Sequence, residues 1–188
     1  MIEPLAVAYR GLQRLSPNSG RPVAIVGAGT IGLLCAMTAR ALGTDGVVMV
    51  ERCEARREFA VSLGFDVTVY SGERYRHVID TTGTTSGTAA ALDLTADGGR
   101  VVILGLCGQP TAPLDIDSLV LRDLTLIGSL GSPGVWPHAI ELVATRQVQP
   151  SALISHHYTL AQAPDAFTLA AAATPTTRKV VLNPQQDP

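Results

Sequence analysis

Two apolar runs on either side of a glycine-rich turn constrain the fold of this chain more than any other feature. The first run, residues 23–26, leads directly into the glycines of residues 27–32. The second run, residues 47–50, ends at Glu51. This order is typical of a strand, a tight turn, a helix and a second strand that ends in an acid. Such a unit predicts a site for a nucleotide cofactor.

The glycines of this turn have separate expected roles. Gly27 permits the tight turn, Gly29 lets the backbone approach a pyrophosphate, and Gly32 lets the helix pack close to the sheet. The amino terminus of the helix carries free N–H groups and a partial positive charge. We therefore expect the backbone N–H groups of Thr30 and Ile31 to bind the phosphates of a dinucleotide.

Glu51 bears on which dinucleotide binds. A carboxylate at the end of the second strand can accept hydrogen bonds from both ribose hydroxyls. It would also repel a 2′-phosphate, so Glu51 favours NAD over NADP. Arg52 and Arg56 temper this preference, because a guanidinium beside the ribose can accommodate a phosphate. We expect NAD, with NADP as the less favoured cofactor.

Composition excludes several other functions. The net charge is −2 and no run of Lys or Arg is present, which argues against nucleic-acid or membrane binding. Cys35, Cys53 and Cys107 are scattered and form no metal-binding spacing with the histidines. The first residues lack the pattern of a secretory signal, and no apolar run approaches about 18 residues. We expect a cytoplasmic protein without a metal site.

The alternation of apolar strands with helices predicts the fold class. It is typical of an α/β protein with a doubly wound, parallel, six-stranded Rossmann sheet and helices on both faces. The strands are expected at residues 23–26, 47–50, 67–70, 77–81, 101–104 and 121–127. Three parts are expected along the chain: an N-terminal helix and loop at residues 1–20, a dinucleotide-binding domain at 21–150, and a short C-terminal extension at 151–188.

Further cofactor contacts are expected where the later strands end, because ligands of open α/β sheets gather at the carboxyl ends of the strands. The candidate residues follow predicted strands four, five and six: Thr82 and Gly83; Leu104, Gly105 and Leu106; Gly128 and Ser129.

Taken together, these motifs resemble the medium-chain dehydrogenase/reductase family, and within it the zinc-type alcohol, polyol and threonine dehydrogenases. The matching segments run through almost the whole chain: Glu3-Pro4-Leu5-Ala6-Val7-Ala8, the glycine turn, Glu51 with Arg56, Leu63-Gly64, Thr82-Gly83, Gly98-Gly99-Arg100-Val101-Val102, Gly105, Ile127-Gly128-Ser129, Ile154-Ser155-His156 and Lys179-Val180-Val181-Leu182.

The resemblance implies transfer of hydride between NAD and an alcohol, polyol or carbonyl substrate. It implies that Arg56 flanks the adenine and that the loops after strands five and six line the nicotinamide end through backbone groups. Lys179 resembles a cationic position near the cofactor phosphates. In the family, the last strand of the sheet pairs with its two-fold mate, so we expect a homodimer through the strand from Asp123 to Ile127.

The sequence departs from the family in two respects, and the first of them limits the expected activity. The sequence begins where the cofactor domain of the family begins, so the catalytic domain with its zinc ligands is not among these 188 residues. We therefore expect cofactor binding but no zinc, and little or no turnover without a catalytic domain or partner subunit. No residue is assigned as catalytic, Glu3 included. The second departure is the link at residues 71–76, which is too short for the helix that the family has there.

Other interpretations remain open from the sequence alone. The chain could be a non-catalytic NAD(H)-binding sensor or subunit, or an FAD-binding module, since flavoproteins open with a similar glycine turn and acid. His77 and His138 are isolated in the sequence, and we expect both to face solvent. His156 and His157 point to opposite faces of an extended segment and are not expected to share a metal ion.

Overall fold

The computed structural model describes residues 1–17, 21–70, 72–108 and 113–184. Six parallel strands in this part of the chain form one sheet in the order β3-β2-β1-β4-β5-β6. Their bounds are β1 (Val23–Val26), β2 (Val47–Val50), β3 (Asp66–Thr68), β4 (Tyr75–Asp80), β5 (Thr95–Ile103) and β6 (Thr125–Gly128). The strand order reverses between β1 and β4, which is where open α/β sheets bind their ligands.

Helices cover both faces of this sheet, which confirms the predicted fold class. The α-helices are α1 (Ile2–Leu15), α2 (Thr30–Ala41), α3 (Glu54–Ser62), α4 (Thr85–Leu94), α5 (Ile116–Leu121), α6 (Trp136–Ala144) and α7 (Ala163–Ala172). Alternate residues of β1 enter different cores. Val23 and Ile25 pack with α1, α2 and α6, whereas Ala24 and Val26 pack with α4. Burial on both faces explains why the strands read as continuous apolar runs.

The C-terminal part forms a second, smaller sheet. Strand β7 (Ile154–Tyr158) pairs in parallel with β8 (Lys179–Leu182), and α7 connects them. A short 3₁₀ helix at Pro150–Leu153 leads into β7. The Thr30 hydroxyl at the start of α2 donates a hydrogen bond to the Arg178 carbonyl oxygen at 2.8 Å. The C-terminal unit is therefore attached directly to the helix that follows the glycine turn.

The predicted sixth strand, residues 121–127, is wrong at its beginning. Helix α5 extends to Leu121, Asp123 lies in the left-handed region with φ 51°, and the strand starts only at Thr125. The reason is a helix cap: the Asp115 side chain accepts a hydrogen bond from the Ser118 N–H at 2.9 Å. This cap begins a helix in apolar residues that otherwise resemble a strand.

The prediction that His77 faces solvent is also wrong. His77 is 5% exposed because β4 lies in the middle of the sheet, where His77 pairs with Val23 on one side and Arg100 on the other. Burial lowers the pKa of His77, and Arg100, Arg21 and Arg76 lower it further. His138, by contrast, is exposed as expected.

Two further predictions concern connections and membranes. The predicted link between β3 and β4 begins at Ser71, which lies outside the described residues; between Thr68 and Tyr75 the described part carries no helix. None of the helices in the described ranges is long and apolar enough to cross a membrane.

Candidate cofactor-binding site

The three glycines of the turn after β1 are required by three different local geometries. Gly27 has φ +100°, a conformation that favours glycine. A Cβ on Gly32 would lie 2.0 Å from the Gly27 carbonyl oxygen, so only glycine lets α2 pack this close. A Cβ on Gly29 would meet no atom within 4 Å, so its backbone faces open space. Turn, close packing and open approach are the roles that the sequence predicts for these positions.

Helix α2 begins at this turn with Gly29 as its N-cap and has no acidic residue in its first turn. The first N–H groups of a helix have no partner within the helix and carry its partial positive charge. The Thr30 hydroxyl is occupied by the Arg178 carbonyl, and Ile31 packs against the main core. Thr30 and Ile31 therefore offer backbone groups to an anion at this point.

Glu51 directly follows β2, and its carboxylate reaches the glycine turn. Its Oε2 accepts a hydrogen bond from the Ala28 N–H and its Oε1 accepts one from the Cys53 N–H, each at 2.8 Å. This bracing role was missed by sequence reasoning, which gives no signal for it. A carboxylate has about four acceptor positions, so each oxygen keeps one for a ligand hydroxyl.

A cleft of about 510 Å³ opens beside Glu51 at the carboxyl ends of β1, β2 and β4. Arg52 and Arg56 lie on its β2 side, as the sequence predicts, and Thr82 lies on its β4 side. The remaining lining residues, which the sequence analysis did not single out, are Val26, Val50, Val69, Tyr70, Thr81, Thr84, Ser86, Gly87 and Ala90.

A buried acid that sequence reasoning missed organises the β4 side of this cleft. Asp80 is 0% exposed. Its Oδ1 accepts hydrogen bonds from the Thr82 N–H at 2.9 Å and the Thr82 hydroxyl at 2.7 Å, and its Oδ2 accepts one from the Thr88 hydroxyl at 2.8 Å. An acid that ends an apolar strand ahead of several threonines was the signal in the sequence.

The loops after β4 and β5 touch each other along the same edge of the sheet. A Cβ on Gly105 would lie 2.1 Å from the Gly83 nitrogen, so the two backbones are in contact. The Ser129 N–H donates to the Ile103 carbonyl oxygen at 3.0 Å, which brings the loop after β6 to the end of β5.

The predicted residues of these loops lie at the sheet edge outside the 510 Å³ cleft: Gly83, Leu104, Gly105, Leu106, Gly128 and Ser129. The Leu104 side chain packs against Gly11 of α1, so only its backbone is left for a ligand. Leu106 is exposed.

A second cleft, of about 330 Å³, lies between the glycine turn and the C-terminal unit. Gly29, Arg56, Arg178 and Lys179 all line it. The Arg178 guanidinium carbon lies 3.8 Å from the centroid of the Phe59 ring, which fixes that side chain by a cation–π contact. Cationic groups therefore surround the amino terminus of α2 on this side.

Within residues 1–17, 21–70, 72–108 and 113–184, no three His, Cys, Asp or Glu side chains lie together as a metal ion would require. The acidic Glu51 of one cleft and the basic Arg56, Arg178 and Lys179 of the clefts suit a ligand that carries hydroxyls and phosphates.

Comparisons with known proteins agree with this geometry. The model of the zinc-binding dehydrogenase family matches residues 30–145. Sorbitol dehydrogenase of Bombyx mori is 26% identical over 186 residues, which cover 90% of this chain and 53% of that enzyme. L-Arabinitol 4-dehydrogenase of Aspergillus niger is 29% identical over 198 residues, with 91% of this chain and 51% of that enzyme covered.

Among solved structures, a zinc-binding dehydrogenase of Sinorhizobium meliloti 1021 bound to NADP superimposes with a TM-score of 0.88 at 30% identity, covering 97% of this chain and 58% of that one. The chain spans about half the length of the curated relatives it matches. The resemblance predicted from the motifs is confirmed: the chain belongs to the zinc-binding dehydrogenase family and corresponds to the cofactor-binding part of these medium-chain dehydrogenases.

Proposed function

We propose that this chain binds NAD(H) as the cofactor domain of an oxidoreductase that transfers hydride between the cofactor and an alcohol, polyol or carbonyl substrate. One observation carries the proposal: the open backbone at Gly29 lies next to the Ala28 N–H that Glu51 holds, at the mouth of the 510 Å³ cleft. A pyrophosphate and a ribose need these two features side by side.

Different residues of the site would bind different parts of the dinucleotide. The ribose hydroxyls of the adenosine half would donate to the free acceptor positions of Glu51, and Arg56 would flank the adenine. The pyrophosphate would lie against Gly29 and the first N–H groups of α2. The nicotinamide half would extend along Gly83, Gly105 and the loop at Gly128 and Ser129, where it would be bound by backbone groups. The bound nicotinamide supplies the hydride chemistry, and this chain orients it.

NAD is the cofactor that Glu51 supports, because its carboxylate would lie against a 2′-phosphate and repel it. Arg52 and Arg56 line the same cleft and could offset part of that repulsion. The relative from Sinorhizobium meliloti is bound to NADP, and parallel titration with NADH and NADPH measures the preference of this chain.

Complete activity, we propose, requires a catalytic domain or partner subunit in addition to these residues. No three His, Cys, Asp or Glu side chains among the described residues lie close enough together to hold the zinc ion that the family name implies. Residues 151–188 would return toward that domain, and residues 21–150 would hold the cofactor. Because sorbitol and arabinitol dehydrogenases are among the relatives, polyols are the first substrates to test.

A homodimer through β6 is a further part of the proposal. Strand β6 is the last strand of the described sheet and begins at Thr125, so the proposed contact, expected at Asp123–Ile127, would be made by Thr125–Gly128. Leu126 of β6 is exposed, and so are Val120 and Leu121 at the end of α5, the helix that precedes this strand. Light scattering should give the mass of a dimer for the chain, and Leu126→Lys should shift it toward monomer.

The cytoplasm remains the proposed compartment, since Cys35, Cys53 and Cys107 are free thiols.

Calorimetric titration of the chain with NADH, NADPH and FAD tests the proposal. We expect saturable binding of NADH, weaker binding of NADPH and none of FAD. Absence of nicotinamide cofactor binding, or a flavin spectrum in the purified chain, would overturn the proposal. The sensor and FAD-module alternatives are not favoured, because the matched relatives are polyol and alcohol dehydrogenases. Turnover with a polyol panel, with and without added zinc, measures the activity of the chain alone.

A further inference from the structure

Tyr70 is an aromatic residue at the 510 Å³ cleft to which the proposed function assigns no role. It follows β3, lines the 510 Å³ cleft together with Val69, and is 60% exposed. A tyrosine ring this exposed in a cleft presents a large apolar surface that the fold itself does not use.

The ring is nevertheless held in position from both ends. The Tyr70 hydroxyl donates a hydrogen bond to Asp93 Oδ2 of α4 at 2.9 Å, and Arg74 Nη2 lies 3.6 Å from Asp93 Oδ1. The Thr68 hydroxyl donates to the Tyr70 carbonyl oxygen at 3.2 Å. Tyr70 therefore joins the end of β3 to α4 on the far side of the cleft. Because the ring is already held in place, little side-chain conformational entropy of Tyr70 is lost when a ligand binds against it.

Tyr70 lies two residues after the end of β3 at Thr68, and it lines the cleft at the neighbouring ends of β1, β2 and β4. Val50, Val69 and Ala90 add apolar surface near it, whereas Glu51 supplies the charge. The cleft thus has a polar part for a sugar and an apolar, aromatic part for a flat base.

We propose that Tyr70 is the stacking platform for the adenine base of the cofactor and contributes to selectivity for adenine nucleotides. The inference rests on the proposed function, since it assigns one end of the dinucleotide to one end of the cleft. A flat base with a π-face on a fixed tyrosine ring is a favourable offset stack. Removal of such a ring lowers affinity for a base by about tenfold.

A bracing role is the alternative that the test must separate, because the Tyr70 hydroxyl also holds the β3 loop to α4. Tyr70→Phe removes the hydrogen bond to Asp93 and keeps the ring. Tyr70→Leu removes the hydrogen bond and the ring but keeps apolar bulk. Stacking predicts that Phe preserves affinity and Leu does not, whereas bracing predicts equal losses for both.

The experiment is calorimetric titration of the full chain and its variants with AMP and with NADH. We expect Tyr70→Phe to bind both within about threefold of wild type, and Tyr70→Ala and Tyr70→Leu to bind both about tenfold more weakly. Phe167→Ala removes a 72% exposed aromatic residue outside the cleft and should leave both affinities unchanged. Thermal melting checks that each variant is folded; if Tyr70→Ala is not, Tyr70→Leu decides.

Two spectroscopic readouts report on the ring itself. AMP should shift the Tyr70 ring-proton resonances upfield, and the signals are assigned by their loss in Tyr70→Phe. The hydrogen bond that the Tyr70 hydroxyl donates to Asp93 raises the pKa of Tyr70, and Asp93→Asn should bring that pKa back toward its ordinary value. AMP binding should raise the pKa further, because stacking removes the phenol from water.

The outcomes separate the two proposals. Wild-type affinity for AMP in Tyr70→Leu, or equal losses in Tyr70→Phe and Tyr70→Leu, would overturn the platform and leave the proposed cofactor binding intact. Failure of the wild-type chain to bind either AMP or NADH would overturn both.

Discussion

Glu51 Oε2 accepts a hydrogen bond from the Ala28 backbone N–H at 2.8 Å, which joins the end of β2 to the glycine turn after β1. Together with its bond to the Cys53 N–H, this contact gives Glu51 two tasks. It orients the turn that would receive the pyrophosphate, and it would present its remaining acceptor positions to the ribose. The same side chain thus connects the local architecture of the turn to the proposed preference for NAD.

Removal of the Glu51 carboxylate should therefore change both affinity and selectivity. We expect Glu51→Ala to weaken NADH binding by about tenfold or more, since hydrogen bonds to a charged group contribute about 1.5–3 kcal/mol. The ratio of NADPH to NADH affinity should rise, because the repulsion of the 2′-phosphate is lost. Titration of wild type, Glu51→Ala and the isosteric Glu51→Gln with both cofactors measures this. Unchanged affinity for both cofactors in Glu51→Ala would contradict the ribose assignment.

The glycines of the turn offer a matched pair of substitutions. Gly32→Ala places a methyl 2.0 Å from the Gly27 carbonyl oxygen, so it should lower the free energy of unfolding by about 1–3 kcal/mol or more. Gly29→Ala meets no atom within 4 Å at a φ of −76°, so its stability should equal that of wild type. Its NADH binding should nevertheless be lost, because the methyl occupies the pyrophosphate approach. Chemical denaturation and NADH titration distinguish these effects, and full NADH affinity in Gly29→Ala would count against the phosphate position.

The Asp80 network should be a stability determinant. Asp80→Ala leaves the Thr82 N–H, the Thr82 hydroxyl and the Thr88 hydroxyl without their acceptor, so we expect a loss of about 3 kcal/mol in the free energy of unfolding. Asp80→Asn keeps a side-chain oxygen and should lose less. Asp45→Ala, in an exposed position, serves as the control and should change stability little. Urea unfolding measures all three variants, and equal stability of Asp80→Ala and wild type would rule the network out as a determinant.

Acid should destabilise the fold through His77. Its pKa in the folded chain lies below the ordinary value of 6.5, because of burial first and of Arg100, Arg21 and Arg76 next. As the pH falls below about 6.5, His77 becomes protonated in the unfolded chain but stays neutral in the folded chain. The free energy of unfolding therefore decreases until the pH reaches the pKa of His77 in the folded chain. His77→Gln should lose less stability than wild type between pH 7.5 and pH 5.5, by urea unfolding. Parallel pH dependences of the two proteins would show that His77 does not contribute.

Much of the fold was predictable from local pattern. The bounds of β1 and β2 were predicted correctly. The roles expected of Gly27, Gly29 and Gly32 in the turn, and of Glu51 at the end of β2, rest on turn geometry and strand length alone. These features depend on dihedral preferences and burial periodicity, which neighbouring residues determine.

Other features depended on particular side-chain hydrogen bonds and on which strands lie side by side in the sheet. Leu121 ends a helix instead of beginning the predicted strand, because the Asp115 side chain caps a helix that continues to Leu121. His77 is buried because β1 and β5 flank it. Asp80 holds the β4 side of the cleft through threonines that lie up to eight positions away.

The sequence by itself therefore determined the class of the protein and the centre of its candidate cofactor site, since a glycine turn and a strand-terminal acid are defined within one βαβ unit. Only the tertiary structure decided that Glu51 also braces the turn and that Tyr70 borders the same cleft. It also decided that the C-terminal unit reaches the start of α2 through Thr30 and Arg178. Such contacts join residues far apart in the chain, and their geometry exists only once the sheet, the helices and the loops have packed together.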